Sequence, residues 1–175
     1  MKNQRKMEAQ SGIDLRMWTH RRAVKALPYI RAIARSLRGS WLDLQRARLQ
    51  VRRLNAQSGS QDRSASILRA GAVRETGRAE DDFNQTLREL ETIHVQCLHP
   101  GKGLVLIPFS KDDDLAWFIF DLFAPHGLIG WRFEVDPVET RRILADLPPQ
   151  GWADGVFSSK PLFPAFWKRQ RTNPK

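Results

Sequence analysis

The sequence predicts an α+β protein in which a long antiparallel helical hairpin packs on a small antiparallel meander sheet of about four strands. Apolar residues recur at every third or fourth position through the first half of the chain, which is typical of helices with one buried face. From residue 95 onward, short extended runs alternate with turn-forming residues, which indicates a meander. We expect the hairpin over residues 19–93, the sheet over 95–135, a short helix over 137–147, an aromatic C-terminal arm over 148–175 and a flexible N-terminal segment over 1–17.

The first helix is predicted from Thr19, a suitable N-cap, to Leu54. Pro28 could kink it, and Gly39 weakens its middle by about 1 kcal/mol. A continuous helix of this length would reach roughly 54 Å at about 1.5 Å per residue, too long for one compact face to cover, so a second long helix is expected beside it. Its apolar stripe consists of Leu27, Ile30, Ala34, Leu37, Trp41, Leu44 and Val51.

The second helix is predicted over residues 65–92, after a polar loop at 55–64. Its clearest apolar seam lies at Phe83, Leu87 and Leu90, and this seam should face the stripe of the first helix. Acids on the second helix are expected to face the basic first helix and support the pairing. These acids are Asp81, Asp82, Glu89 and Glu91.

Four strands are predicted, over residues 95–98, 104–109, 115–123 and 128–135. The third of them, LAWFIFDLF, is apolar on both faces except at Asp121, so the sheet should be covered on both sides. The helices would cover one face, and either the C-terminal arm or another subunit would cover the other. The arm itself has two interpretations, an irregular segment that packs its aromatic side chains on the sheet or a docking motif for a partner.

The net charge of +10 is concentrated near the two ends of the sequence. Residues 1–54 hold 14 Lys or Arg and three acids, and residues 148–175 hold five and one. Three cations lie in the first two turns of the first helix, where the helix dipole favours negative charge, so nearby acids or a bound phosphate should compensate them. The surface is either a solvated helix face or an anion-binding site. The candidate anion-binding residues are Arg21, Arg22, Lys25, Arg31, Arg35, Arg38, Lys168, Arg169 and Arg171.

Several segments resemble, in order and spacing, a bacterial family known only as domain of unknown function 2203. WTHRRAVKALP is similar to the family's opening F-T-x-E-E-A-x-x-L-L-P. LRELETIHVQCLHPGKGLVLIPF is similar to the end of its second helix and its G-L-V-D-F-P strand, and IFDLFAPHGLIGWR has the length of its L-C-W-x-x-G-E-x-x-I-x-Y-W-H segment. The resemblance covers residues 18–134 and implies a helical hairpin on a small sheet, but no activity.

The chain departs from this family at its polar positions. The family's two acids in the first helical turn are Arg21 and Arg22 here, and its strand acid is Leu106. Its final Trp is kept as Trp131, whereas the following His is Arg132. The family's Cys-Trp pair stands as Phe120-Asp121, and the acid of its Gly-Glu pair falls at Pro125. These departures favour a divergent, non-catalytic member.

A polar cluster of Asp121, Arg132 and Glu134 is expected within the sheet. If Phe123 pairs with Leu128, Asp121 lies opposite residue 130 and diagonal to Arg132, with Glu134 on the same face. The expected result is a half-buried ion pair. As an active site it would offer an acid and an electrophilic arginine but no nucleophile.

Neither a metal site nor a cofactor is predicted. His94, Cys97, His99 and His126 are spaced too loosely for a typical zinc site. The acidic run from Asp112 to Asp114 lacks the following glycine and distant glutamate of a calcium loop.

We expect a soluble cytoplasmic protein, because the sequence contains one cysteine, no apolar run typical of a signal peptide and no stretch long enough to span a bilayer. The favoured function is non-enzymatic interaction or self-association by a protein that is built on a helical hairpin. One alternative is a nucleic-acid or phosphate-binding module that uses the basic helix and tail. The other is an enzyme with a polar site at Asp121, Arg132 and Glu134.

Overall fold

The structure is a computed structural model that describes residues 15–56 and 63–147 and the backbone of residues 156–157. Two long helices are followed by a four-stranded antiparallel sheet in the order β2-β3-β4-β5, while β1 and β6 form a separate antiparallel pair. This architecture confirms the predicted α+β fold class. The elements are β1 (Leu15–Arg16), α1 (His20–Ala56), α2 (Arg63–Thr92), β2 (Gln96–His99), β3 (Leu104–Lys111), β4 (Asp114–Asp121), β5 (Leu128–Phe133) and β6 (Val156–Phe157).

Helix α1 begins where its sequence indicates. The backbone N–H of Arg22 donates to the Thr19 side-chain oxygen at 3.2 Å. Thr19 therefore caps the helix, as its sequence position predicted. The helix continues through Pro28. Across the hairpin, the rings of Trp41 and Phe83 lie 5.5 Å apart. Most of the predicted apolar stripe joins the core, with Ile30, Ala34, Leu37 and Leu44 buried and Leu27 and Trp41 packed against them.

One face of the sheet packs on the helices because strand residues alternate between the two faces. Side chains of β3 and β4 that point to this face are fully buried with the apolar stripe of α1. The rings of Phe109 and Phe118 stack at 4.0 Å within it. The buried residues on this face are Val105, Ile107, Phe109, Ala116, Phe118, Phe120 and Trp131.

The second face of the sheet is also covered, and the cover includes residues 15–17. Leu15 and Met17 are buried in a cluster with Leu106, Trp117 and Ile119. Backbone pairing aligns Leu15 with residue 157. Residues 15–17 were predicted to belong to a flexible N-terminal segment, but these contacts hold them against the sheet, and residues 1–14 lie outside the described part of the chain. The arm touches this region through β6, and its other residues lie outside the described part of the chain.

The predicted short helix over residues 137–147 is wrong. The segment contains turns, one bridge to β5 and a single 3-10 turn at Leu144–Asp146. Arg142 exchanges two backbone hydrogen bonds with Trp131, at 2.8 and 3.1 Å, which holds the segment extended along the edge of β5. The Asp136 carboxylate accepts from the Phe133 N–H at 2.8 Å rather than capping a helix.

Candidate functional site

The predicted cluster of Asp121, Arg132 and Glu134 does not assemble as expected. Gly130 pairs with Ile119, so the pairing of β4 with β5 differs by two residues from the prediction. Asp121 instead ends β4, where its carboxylate accepts from the backbone N–H of Phe123 at 2.9 Å. Arg132 pairs with Trp117, four residues earlier along β4, which is roughly 13 Å from Asp121. The expected ion pair between Asp121 and Arg132 is therefore wrong.

Arg132 is nevertheless unusual, because its side chain is buried with only 6% exposure. Its Nε donates to the Phe133 carbonyl and its Nη2 to the Glu134 carbonyl, each at 3.2 Å. Its Nη1 is buried and has no hydrogen-bond partner among the described residues. The Glu134 carboxylate accepts from the indole N–H of Trp117.

Two of the candidate anion-binding arginines hold the fold together. Arg31 donates to the carbonyls of Leu122 and Ala124 at 3.0 Å each, which fastens α1 to the turn after β4. Arg38 donates to the Gly101 carbonyl at 3.1 Å and lies over the Phe123 ring. These contacts satisfy the loop carbonyls, so the two side chains are unsuited to serve a ligand.

The remaining candidates at the start of α1 are more exposed. The Arg22 guanidinium lies 4.3 Å from the ring centroid of Trp18, a cation–π contact. Arg21, Lys25 and Arg35 are exposed and form no ion pair or side-chain hydrogen bond with the described residues. The anticipated compensation of the helix start by acids is therefore absent from the described part of the chain. Lys168, Arg169 and Arg171 lie outside it.

Five exposed cations of α1 form a line, which we call the cation ridge. At 3.6 residues per turn, its members fall within an arc of about 80° over a length of roughly 48 Å. Among the described residues, Arg46 is the one member of the ridge with a charged partner, Asp43 at 2.7 Å, and both side chains are more than half exposed. The cation ridge consists of Arg21, Lys25, Arg35, Arg46 and Arg53.

Helix α2 carries a complementary line of acids, which we call the acidic stripe: Glu75, Asp82 and Glu89. Their spacing of seven residues keeps them on nearly the same side of the helix. All three are exposed and line a groove of about 690 Å³ between α1 and α2, together with Asp43 and Arg78. Sequence reasoning missed this groove, although the seven-residue spacing was visible.

The two helices are joined by little charge pairing. Within the described residues, the ion pair between them is that of Arg48 with Glu80, at 3.1 Å. None of the acids predicted to face α1 forms an ion pair with it. The acids concerned are Asp81, Asp82, Glu89 and Glu91.

The middle of the groove is open on the α1 side. A Cβ built on Gly39 would meet no atom within 4 Å, so packing inside the chain does not require a glycine there. Ser36, Ser40 and Ala79 are the other small residues that line the groove. Another helix could therefore approach α1 closely at this point.

The histidine and cysteine side chains do not gather into a metal site. Within the described ranges, no three His, Cys, Asp or Glu residues come together in a metal-binding arrangement. His99 caps a 3-10 turn, with its Nδ1 accepting from the Lys102 N–H at 3.3 Å. Burial raises the pKa of the Cys97 thiol to about 12.

The pKa of one carboxyl group is lowered by its neighbours. The Arg142 guanidinium, which donates to Asp136 at 2.9 Å, holds the pKa of this carboxyl below its usual value. The hydrogen bond from Phe133 and the charge of Arg132 act in the same direction. The ion pair of Asp136 with Arg142 closes residues 136–142 into a loop.

None of the described helices combines the length and apolar content needed to cross a membrane. Comparisons of the chain with models of protein families, with curated proteins and with solved structures find no match. The resemblance to the domain of unknown function 2203 family stays a prediction.

Proposed function

We propose that this protein is a non-enzymatic interaction protein that associates with a second copy of itself through the outer face of its helical hairpin. The observation that carries this proposal is the presence of the cation ridge and the acidic stripe side by side, without pairing to each other. The groove between them lies largely on the opposite side of α1 from Arg31 and Arg38, which contact the loops of the sheet. The face is therefore open to a partner.

Two contacts show which residues of the helices lie at the same height. These are Trp41 with Phe83 and Arg48 with Glu80. Because the helices are antiparallel, a step back along α1 corresponds to an equal step forward along α2. Counted from these contacts, three cations of the ridge are each level with one acid of the stripe. The level pairs are Arg35 with Glu89, Arg46 with Asp82 and Arg53 with Glu75.

A two-fold axis parallel to the hairpin, between α1 and α2, would preserve these heights. It would place α1 of each copy over α2 of the other copy. Each of the three cations on one copy would then lie opposite the acid at the same level on the other copy. The interface would be isologous, as is usual for homodimers. An axis perpendicular to the helices would place α1 on α1 and bring like charges together, which is unfavourable.

The expected association is modest and salt-dependent. Exposed ion pairs contribute about 0.2 to 1 kcal/mol each, and six such pairs would be formed. Close approach at Gly39 would add van der Waals contacts. Since exposed charges are screened within about 10 Å at 0.1 M salt, the dimer should weaken steeply as salt is added.

Charge reversal with complementation tests the proposal. One variant combines Arg35→Glu with Arg53→Glu, and the other combines Glu75→Arg with Glu89→Arg. We expect each variant alone to be monomeric by sedimentation velocity in low salt, because its two helices carry like charges at the interface. An equimolar mixture should form a heterodimer, because only the mixed pair restores opposite charges.

Arg52→Glu is the matched control, since Arg52 is an exposed α1 arginine outside the cation ridge. It should keep the self-association of the wild type. A wild type that is strictly monomeric at tens of micromolar in low salt would refute the proposal, as would a mixture that stays monomeric.

The alternative of nucleic-acid binding is supported by Arg21 and Lys25, which extend the cation ridge beyond the acidic stripe. The same variants separate the two functions. If the ridge binds RNA or DNA, Glu75→Arg with Glu89→Arg should strengthen binding, and Arg35→Glu with Arg53→Glu should weaken it and reduce its salt dependence. The enzyme alternative lacks support, because Asp121 lies apart from Arg132 and Glu134.

A further inference from the structure

The groove between α1 and α2 carries negative charge that has no partner. Its lining includes the acidic stripe and Asp43, together with Arg78. Asp43 is paired with Arg46, whereas the three acids of the stripe form no ion pair with any described residue. Consecutive acids of the stripe are seven residues apart, which is about 10.5 Å along the helix. The groove therefore presents a row of evenly spaced carboxylates.

The floor of the groove can accept a polypeptide backbone. Gly39 has no atom within 4 Å of the position of a Cβ, and Ala79 on the other helix is also small. Ser36, Ser40 and Gln85 line the same groove and offer hydrogen-bonding side chains. An extended segment that carries cations can therefore lie along the groove, with its charges opposite the acids.

Residues 158–175, which we call the basic tail, have the matching charge. They contain five Lys or Arg and no Asp or Glu. In an extended chain, Lys168 and Arg171 are about 10 Å apart, and Arg171 and Lys175 are about 13 Å apart. These distances are close to the spacing of the acidic stripe. The five cations are Lys160, Lys168, Arg169, Arg171 and Lys175.

The basic tail is long enough to reach the groove from the point where it begins. Phe157, the residue before it, pairs with Leu15, five residues before the start of α1. Arg35 is level with the inner end of the acidic stripe, and the path from Phe157 through Leu15 and along α1 to this level is at most roughly 45 Å. The 18 residues of the tail span up to roughly 59 Å when extended. The cations at its far end can therefore lie against the stripe.

We propose that the basic tail binds within its own chain, in the groove between α1 and α2, with its cations on the acidic stripe. Because the tail is tethered, its effective concentration at the groove is in the millimolar range. The groove is also part of the proposed dimer interface, so the bound tail competes with a second copy. Exposed ion pairs are individually weak, so the tail weakens the dimer without abolishing it. This competition rests on the proposed function, whereas the binding of the tail does not.

Carbodiimide cross-linking, which joins lysine amines to carboxylates in contact with them, tests the binding of the tail. The sample is an equimolar mixture of unlabelled and isotopically labelled full-length chain in low salt. We expect mass spectrometry to find Lys168 or Lys175 joined to acids of the stripe, in peptide pairs that are both light or both heavy. The yield should fall at high salt, because salt screens exposed charges.

A variant tests whether charge holds the tail in place. Glu75→Arg with Glu89→Arg keeps the Asp82 carboxylate as a cross-linking partner but reverses the charge on both sides of it. The cross-link from Lys168 to Asp82 should fall at least about threefold, because the tail is then repelled. Lys160→Gln is the matched control. Residue 160 is three residues after Phe157 and reaches only about 10 Å, so this change should leave the cross-links unaltered.

Sedimentation velocity tests the competition. A triple variant that combines Lys168→Gln, Arg169→Gln and Arg171→Gln should self-associate with a dissociation constant at least about threefold lower than that of the wild type, because its groove is free more often. Lys160→Gln should leave this constant unchanged. A triple variant with the wild-type constant would overturn the competition.

The absence of cross-links between tail and stripe, cross-links that join only light to heavy chains, or an undiminished Asp82 cross-link in the double variant would overturn the binding of the tail. If neither the wild type nor the triple variant self-associates, the dimer is refuted, and the cross-links still decide whether the tail binds in the groove.

Discussion

At the scale of single residues, arginines of α1 with the same chemistry serve different purposes. Arg31 and Arg38 bind loop carbonyls and lie over the rings of Phe120 and Phe123, which ties the helix to the end of the sheet. Arg35, between them in sequence, is exposed and has no charged partner in the part of the chain that the structure describes. Which arginine is structural depends on the loop opposite it, and a single sequence does not contain that information.

We predict that Cys97 is inert in the folded protein. Its side chain is 4% exposed and burial raises its pKa to about 12, so almost no thiolate is present or accessible at pH 8. A disulfide reagent that reports thiolate release should react only as fast as the protein unfolds, and at once in denaturant. Rapid stoichiometric reaction of the folded protein would contradict this prediction.

At the scale of elements, glycine has opposite roles in α1 and in the turn before β3. Gly39 lies mid-helix with open space around it, whereas Gly103 has a left-handed φ of 67°. A Cβ on Gly103 would lie 2.7 Å from the Leu122 Cβ. The helix therefore tolerates a side chain that the turn cannot accept.

Alanine substitution should separate these roles. Gly39→Ala should stabilise the protein by about 1 kcal/mol, because alanine has the higher helix propensity. Gly103→Ala should destabilise it by more than about 1 kcal/mol, because it adds a clash to a strained φ. Urea unfolding measures both, with Gly71→Ala, another helical glycine with open space, as the control. Equal effects at residues 39 and 103 would contradict the prediction.

The helices and strands could be predicted because each depends on a local apolar period. The register between β4 and β5 could not be predicted. The Asp121 carboxylate accepts a hydrogen bond from the Phe123 N–H where β4 ends, and the register shifts between Ile119 and Phe120. The predicted helix over residues 137–147 was wrong because a tertiary contact decided the conformation of this segment. Its propensity was overridden by the unpaired edge of β5, to which Arg142 binds.

At the scale of the whole molecule, the hairpin extends beyond its own core. The α1 residues in the main core end with Leu44, and farther out the buried residues of the described hairpin are Ala47 and Ala72. Large apolar side chains in this outer part remain exposed, among them Leu49, Ile67 and Leu68. Little hydrophobic burial therefore stabilises the outer half.

Hydrogen exchange should reveal a gradient along the hairpin. Amides of residues 46–56 and 63–72 should exchange much faster than those of residues 30–41 and 83–90, because their local opening exposes little apolar surface. Mass spectrometry of peptic fragments measures this at low salt and low concentration. Raising the concentration should slow exchange in the outer half if the proposed dimer forms, while uniform protection would contradict the gradient.

The charge pattern was only partly accessible from the sequence. The excess of cations on α1 and the spacing of the acids can be read directly. The alignment of these cations and acids along the hairpin axis could not be predicted. It depends on which residues of the two helices lie level with each other, and this is set by the contacts of Trp41 with Phe83 and of Arg48 with Glu80. The sequence therefore predicted an interaction surface, and the structure places an acidic groove beside it.

The pairing of β1 with β6 has a consequence for the order of folding. It joins residues 15–16 to residues 156–157, so about 140 residues must be synthesised between its two halves. A contact this distant in sequence forms late, because a long loop must close first. During synthesis the pair cannot form until residue 157 has left the ribosome. Trp117 and Ile119, which are buried with Leu15, should therefore be candidates for transient chaperone binding in the nascent chain.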